Sequence, residues 1–182
     1  MKITKLKKVD RTVFKPYKNI TDSFRKAVIE RNSKIEERDW IKIDGKVYRI
    51  NKDNPDDIRL IQNSDENVKP MVEWLQKELG GKAFINPEPV SAEFRTANYM
   101  YRNQKWELKT KDETAIGDFV VYNTIKKGYG QANNFIIDFT KSPLTYEEIL
   151  YQVDHAFNAE YINWFRKLII KKGDKYHVFI RD

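Results

Sequence analysis

The sequence contains no cysteine and only two histidines, His155 and His177. Without cysteine there are no disulfide bonds, zinc ribbons, iron–sulfur clusters or cysteine nucleophiles. Two histidines also argue against a metal site built from several histidines. Apolar runs are only a few residues long, so we expect no membrane span. The charged start MKITKLKK lacks the apolar stretch of a signal peptide, and we expect none.

Glycine and proline are also scarce, with 7 and 6 residues, which excludes a collagen-like or low-complexity chain. What the sequence does have is apolar and aromatic material, at 40% and 13% of its 182 residues. This amount is enough to bury a core, so wholesale disorder is excluded. The length fits one domain with an extension, or two very small domains.

Positive charge is concentrated at the N-terminus. The net charge is +7, and residues 1–31 carry ten Lys/Arg against three acidic residues, which accounts for all of it. A basic arm of this kind favours a polyanion or an acidic protein as partner. A solvated leader that keeps the protein soluble explains the same charge run.

The pattern of apolar residues predicts a small mixed fold. Asp44–Gly45 between two apolar stretches predicts a hairpin, followed by a polar loop over 51–57. From Val68 onward the order is α-β-β-β-α-β-α-β-β, with helices over 114–127 and from a Thr145–Glu148 capping box to Phe157. We therefore expect the α/β (α+β) class, with a single mixed β-sheet flanked by helices and an N-terminal helix–hairpin extension. The expected domains are 1–63 and 64–182.

Glu107 and Lys109 form the most informative short pattern. A period of two places both side chains on one face of a strand, roughly 6–7 Å apart. A carboxylate there can hold a divalent cation, and the lysine can stabilise a developing negative charge, which suits phosphodiester cleavage. A charged strand edge with a surface ion pair explains the spacing equally well.

Three blocks around this pattern carry a family resemblance: Thr96–Tyr99, Trp106–Lys109 and Gln131–Asp138. Over about residues 66–182 the sequence resembles the C-terminal nuclease domains of bacterial polymorphic toxins. These include the tRNase-like domains of contact-dependent inhibition proteins and related domains of phage head proteins and mobile elements. The helix around Glu73 fits the element that precedes the blocks, and Arg181 fits a closing arginine.

The resemblance implies a nuclease-like αβββαβ core and leaves two chemistries open. In a PD-(D/E)XK nuclease, Glu107 would bind Mg²⁺ together with the residue at position 98, and Glu73 could add a further ligand. In a compact RNase of the toxin type no metal takes part. This chain has Ala97–Asn98 where the pattern has Pro-Asp, and an amide binds Mg²⁺ more weakly than a carboxylate does. The metal site is therefore weakened or compensated, or the chain is not a metal nuclease, or it is a disabled copy.

The remaining candidate site residues are polar, and several of them have a structural explanation as well as a functional one. Asn98, Glu107, Lys109 and Gln131 are the predicted catalytic set. Contacts to nucleic acid are expected from Lys126, Lys127, Asn134 and Arg181. The two helix-end lysines are equally explained by the helix dipole. His177, on an alternating strand, fits a partly exposed position better than a general acid–base role.

These observations predict a toxin domain that acts in the bacterial cytoplasm and cleaves RNA, with tRNA favoured, by hydrolysis or transesterification. The expected partners are nucleic acid and an acidic immunity or inhibitor protein, and no membrane. Whether the chain is an enzyme stays open at this point. The alternative is a degenerate nucleic-acid- or protein-binding module of a phage or mobile element, with Asn98 as the telling residue.

Overall fold

The computed structural model describes residues 15–26, 40–43, 46–51, 54–60, 68–81, 83–85, 97–102 and 104–182. Its contacts divide the chain into two units. The first comprises Met1–Asp22 and Glu107–Asp182, and the second Ser23–Trp106.

Ten strands and four α-helices make up the described secondary structure. The strands are β1 (Tyr17–Asn19), β2 (Trp40–Ile43), β3 (Lys46–Asn51), β4 (Asn54–Leu60), β5 (Ala83–Ile85), β6 (Tyr99–Tyr101), β7 (Gln104–Thr110), β8 (Asn134–Asp138), β9 (Lys167–Lys172) and β10 (Lys175–Arg181). The helices are α1 (Thr21–Lys26), α2 (Val68–Trp74), α3 (Val120–Lys127) and α4 (Tyr146–Asn158). A π-helical turn (Leu75–Leu79) follows α2, and a 3₁₀ turn (Glu160–Ile162) follows α4.

The first unit is a mixed sheet with the strand order β1-β10-β9-β8-β7. β8 and β9 are parallel, whereas β9–β10 and β10–β1 are antiparallel. β8 has buried residues throughout except at its end, as expected for a strand covered on both faces. The predicted mixed sheet flanked by helices, and with it the α+β class, is confirmed.

Helices α3 and α4 contribute the buried faces that complete the core of this unit. The capping box at the start of α4 is present: Glu148 N donates to Thr145 Oγ1 at 3.2 Å, and Thr145 N donates to Glu148 Oε2 at 2.7 Å. It satisfies two of the donors that a helix N-terminus leaves without intrahelical partners. The largest buried side chains of the core are Phe135, Phe139, Phe157 and Phe165.

The second unit contains a separate antiparallel sheet, β2-β3-β4. The predicted hairpin is confirmed, because Ile43 pairs with Lys46 on either side of Asp44–Gly45. The polar loop predicted over 51–57 is wrong in its second half, where β4 begins at Asn54 and pairs with β3. Backbone pairing to β3 needs no apolar side chain, and Pro55 is tolerated because β4 is an edge strand.

Arg102 organises the other part of the second unit. Its guanidinium lies 3.6 Å from the centre of the Phe24 ring and donates to the carbonyls of Phe24 and Leu79. The side chain of Arg102 is 8% exposed, and its φ of 51° turns the chain between β6 and β7. Trp106 Nε1 donates to the Tyr101 carbonyl at 3.0 Å across this turn.

The helix predicted over 114–127 begins only at Val120. Asp112 Oδ1 accepts hydrogen bonds from the backbone N and the hydroxyl of Thr114, which forms a turn instead of a helix start. Gly117, with a φ of 106°, is incompatible with a helix. Ile116 and Phe119 are 63% and 38% exposed for this reason, although a helix over 114–127 would turn their apolar side chains to the core.

The N-terminal segment contributes to the sheet of the first unit. Tyr17, Lys18 and Asn19 of β1 pair with Arg181, Ile180 and Phe179 of β10. The division into domains 1–63 and 64–182 stays a prediction. Any domain boundary has to allow for the pairing of β1 with β10. In the described part of the chain, the helices are all too short or too polar to cross a bilayer.

Candidate active site

Strand β7 places Glu107, Lys109 and Lys111 at alternate positions, at its end and just beyond it. Alternate residues of a strand project to one face, roughly 6–7 Å apart per step. Leu108, which is 4% exposed, lies between two of them. The backbone N of Lys111 donates to the Asp138 carbonyl of β8 at 2.8 Å, which fixes the strand end against its neighbour.

Lys109 is held between two oxygens. Its Nζ lies 3.4 Å from Glu107 Oε1 and donates to Gln131 Oε1 at 3.1 Å. The Glu107 side chain is 5% exposed and that of Lys109 is 27% exposed. A buried carboxylate is stable only with a partner, so Glu107 fixes the ammonium at a position that solvent still reaches. Sequence reasoning named all three residues, and the structure brings them together.

Gln131 reaches Lys109 because of the turn that follows α3. Gln131 N donates to the Gly128 carbonyl at 3.1 Å, and Gly130 has a φ of 81°. A Cβ at Gly128 would lie 2.3 Å from the Phe135 ring, so glycine is needed there for packing. The glycine-rich stretch thus ends α3 and returns the chain to β8 with Gln131 over β7.

Lys111 was missed by sequence reasoning and has the most perturbed ammonium of this region. Burial lowers the pKa of Lys111 below its usual value, the positive charges of Lys127 and Lys109 lower it further, and Asp112 partly opposes this. The influence of Lys127 means that the C-terminal end of α3 adjoins β7. We call Lys109, Lys111 and Lys127 the lysine cluster. The signal in the sequence was the two-residue period, which continues from Glu107 and Lys109 to Lys111.

The lysine cluster is suited to bind a phosphate. Three ammonium groups on two adjoining elements, with one carboxylate to hold that of Lys109, attract a polyanion. A lysine whose pKa is lowered also gives up its proton more readily than an unperturbed lysine, and its neutral form can accept a proton. Both properties are needed for phosphodiester cleavage.

Three other predicted residues occupy different environments in the first unit. Lys126 is exposed on α3, with its Nζ 5.8 Å from the centre of the Tyr122 ring. Asn134 is 6% exposed at the start of β8. Arg181 donates to the carbonyls of Phe165 and Phe157, both at 2.9 Å, and packs on both rings. Arg181 therefore has a structural role, and contact of these residues with nucleic acid stays a prediction.

Asn98 and Glu73 belong to the second unit. Asn98 is half-buried just before β6, and Glu73 is exposed on α2. Their predicted catalytic and metal-binding roles stay predictions.

The donors around Glu107 fit Mg²⁺ poorly. Mg²⁺ takes six oxygens in a near-octahedral shell, usually with one or two carboxylates. Glu107 contributes a single carboxylate, and the Lys109 ammonium lies 3.4 Å from it. Within the described ranges, no three His, Asp or Glu side chains converge as a metal site would require. The donors at this site therefore favour chemistry by the lysine cluster over chemistry by a bound metal.

Comparison with known proteins finds one family model that matches part of the chain. Residues 95–176 match the model of the contact-dependent growth inhibition CdiA C-terminal domain. The matched range contains Asn98, Glu107, Lys109, Gln131 and Asn134 and ends before Arg181. A comparison with curated proteins found no match. The predicted resemblance to polymorphic-toxin C-terminal domains is confirmed.

A solved structure is also similar. It is the CdiA-CT/CdiI toxin and immunity complex from Burkholderia pseudomallei, at 16% sequence identity and a TM-score of 0.44. The alignment covers 66% of this chain and 90% of that one. A structural similarity this low does not support a conclusion about activity or partners.

Proposed function

We propose that this polymorphic-toxin C-terminal domain cleaves RNA by transesterification, with the lysine cluster as its active site. The observation that carries the proposal is the placement of Lys109 Nζ, 3.4 Å from Glu107 Oε1 and 3.1 Å from Gln131 Oε1, within that cluster. The preference for tRNA rests on the family resemblance.

RNA is favoured over DNA by the donor set. Cleavage of DNA needs an activated water, and bound metal ions are the usual means of activating it. RNA carries its own nucleophile, the 2′-hydroxyl, next to the scissile phosphate, and such an intramolecular attack has a large entropic advantage. Lysines that stabilise charge and accept one proton are sufficient for this reaction.

Each residue has a distinct role in the proposed step. Lys111, deprotonated, accepts the proton of the 2′-hydroxyl as its oxygen attacks phosphorus. Lys109 and Lys127 stabilise the negative charge that develops on the non-bridging oxygens. The bond to the 5′ oxygen breaks, and that oxygen leaves as a hydroxyl with a proton taken from solvent. The products are a 2′,3′-cyclic phosphate and a 5′-hydroxyl end.

Glu107 and Gln131 are positioning residues in this proposal. Glu107 is buried, so it holds the Lys109 ammonium and does not itself reach substrate. Gln131 accepts a hydrogen bond from the same ammonium and ties it to the turn after α3. Loss of either would leave Lys109 with more freedom and a less defined position.

Incubation of the full chain with total tRNA, ribosomal RNA and plasmid DNA, each with Mg²⁺ and with chelator, tests the proposal. We expect tRNA to be cut in chelator, with cyclic phosphate ends, and plasmid to stay intact. Lys109→Ala should lower the rate by about 100- to 1,000-fold, as loss of one charge-stabilising donor does. Lys141→Ala, an exposed lysine outside the cluster, is the matched control.

Two results would contradict the proposal in different ways. Activity that vanishes in chelator and is lost in Glu107→Gln would point to the metal nuclease of the PD-(D/E)XK type. Binding of RNA without turnover, weakened but not abolished by Lys109→Ala, would point to the degenerate binding module.

The proposed partners follow from charge and family. A net charge of +7 suits RNA as substrate and an acidic immunity protein as inhibitor. The exposed lysines at the end of α3 are a surface that such an inhibitor would cover. The proposed place of action is the bacterial cytoplasm, where the RNA substrate is found.

A further inference from the structure

An exposed aromatic side chain lies on the turn that joins two parts of the candidate active site. Tyr129 is 68% exposed and follows Lys127, the last residue of α3, by two positions. It precedes Gln131, which accepts a hydrogen bond from Lys109 Nζ, by two positions as well. Two residues of chain span about 7 Å at most, so the backbone of Tyr129 is close to both. The Tyr129 ring therefore borders the lysine cluster.

The turn holds the backbone of Tyr129 in place. Tyr129 N donates to the Lys126 carbonyl at 3.3 Å, and Gln131 N donates to the Gly128 carbonyl at 3.1 Å. These two hydrogen bonds tie the segment to the end of α3 on both sides of the ring. The position of Tyr129 is thus set by the same turn that brings Gln131 to Lys109.

Trp164 supports the Tyr129 ring from the core. The two ring centres are 5.3 Å apart, with an interplanar angle of 75°. Trp164 in turn lies 5.8 Å from the ring centre of Phe135, which is fully buried in β8. In an edge-to-face pair the edge of one ring meets the face of the other, so at least one face of Tyr129 is left uncovered by Trp164. A flat group can lie against that face.

A fixed, exposed ring beside a cluster of cations is the arrangement with which proteins bind single-stranded nucleic acid. In such proteins positive charge follows the phosphate backbone, and aromatic side chains stack the bases. Here the lysine cluster supplies the charge and Tyr129 supplies the ring. A nucleotide carries both complementary groups, a phosphate and a flat base, on one sugar.

We propose that Tyr129 stacks a base of the RNA whose phosphate binds the lysine cluster. The inference rests on the proposed function and names the residue that holds the base at that same site. Because the faces of a base within a duplex are covered by its neighbours, the stacked base is an unpaired one. Every base has a π face, so Tyr129 contributes affinity and position without selecting a sequence.

Binding of an RNA analogue that cannot be cleaved tests the role of Tyr129. The first probe is a short 2′-O-methyl oligoadenylate, in which the methyl group blocks the nucleophile. The second probe has the same backbone with hydrogen in place of each base. Both probes carry the same charge, so they differ in what can stack. Tyr129→Ala should weaken binding of the base-bearing probe by about 5- to 150-fold, the range for one stacked base, and leave the abasic probe unchanged.

Three further variants separate stacking from charge. Tyr129→Phe keeps the ring and should bind both probes as the wild type does. Phe119→Ala is the matched control, because it removes an exposed ring at the opposite end of α3, about 12 Å away for an eight-residue helix. It should leave both affinities unchanged. Lys109→Ala should weaken both probes equally, since it removes a contact to phosphate.

Cleavable RNA adds a kinetic readout. Stacking acts on the bound substrate and the transition state alike, so Tyr129→Ala should raise KM and leave kcat near the wild-type value. Lys109→Ala should lower kcat. A fall in kcat with unchanged KM in Tyr129→Ala would contradict a role in holding the base.

The outcomes distinguish this inference from the proposed function. Unchanged binding of the base-bearing probe in Tyr129→Ala, together with weaker binding in Lys109→Ala, overturns the inference alone. Unchanged binding of both probes in Lys109→Ala contradicts the proposed phosphate site and the inference with it. Should Tyr129→Ala fail to fold, the wild type still decides, because equal affinity for the two probes means that no base is stacked.

Discussion

The surroundings of Glu107 and of Asp154 lie in one unit and differ in their chemistry. Glu107 Oε1 lies 3.4 Å from the ammonium of Lys109, whose side chain is 27% exposed. Asp154 is 7% exposed, and its Oδ1 accepts a hydrogen bond from the Tyr17 hydroxyl at 2.8 Å. The comparison teaches that a buried acid has two uses here: Glu107 orients a cation that solvent still reaches, whereas Asp154 joins α4 to β1.

The largest effect is expected from a substitution in the lysine cluster. Lys111→Arg keeps a long basic side chain but removes the proton acceptor, since an arginine is never neutral in this range. We expect RNA cleavage to fall by about 100- to 10,000-fold, the usual contribution of general base catalysis. The measurement is single-turnover cleavage of tRNA, with urea unfolding as the control for the fold, which should not change. A rate within a few-fold of wild type would remove Lys111 from the mechanism.

The pH dependence of the cleavage rate tests the assignment of Lys111 as the proton acceptor. Because Lys111 acts in its neutral form and its pKa is lowered, the cleavage rate should rise with pH and level off above that lowered pKa. Lys127→Ala removes a positive neighbour, so the pKa of Lys111 rises and the plateau moves to higher pH. Lys126→Ala, the exposed neighbour on α3, should leave the plateau in place. Identical profiles for all three proteins would contradict the assignment of the base.

Removal of Arg181 should affect the Asp154 side of the comparison. Arg181 joins β10 to the carbonyl of Phe157 near the end of α4, the helix that carries Asp154. Arg181→Leu loses two hydrogen bonds from a charged donor, and we expect a loss of about 2 kcal/mol in the free energy of unfolding. Cleavage by the folded fraction should stay unchanged. Arg166→Leu, at an exposed position, is the control for urea unfolding.

The smallest effect concerns the other end of α4. Thr145→Ala removes the N-cap side chain and should cost about 1 kcal/mol of stability. Thr145→Ser keeps the hydroxyl and should retain most of it. Thermal unfolding of the three proteins measures the difference. Equal melting temperatures for alanine and serine would mean that the capping box contributes nothing to this helix.

Part of the fold was predictable because it depends on neighbours in the chain. The Asp44–Gly45 hairpin follows from turn chemistry, and the start of α4 from the Thr145–Glu148 spacing. The helix predicted over 114–127 was wrong at its start because Gly117 and the Asp112–Thr114 turn outweigh the apolar pattern. β4 was missed because its polar residues pair through the backbone with β3, which no periodicity reports.

The sequence by itself was sufficient to predict Glu107, Lys109 and Gln131 as candidate site residues, because a strand period and a glycine-rich turn are local signals. It also carried the family resemblance through the blocks around them. Only the tertiary structure decided that Lys127 adjoins Lys111, and that Tyr17 donates to Asp154 across 137 positions of sequence. Contacts between elements far apart in the chain depend on strand order and helix packing, and a single sequence records neither.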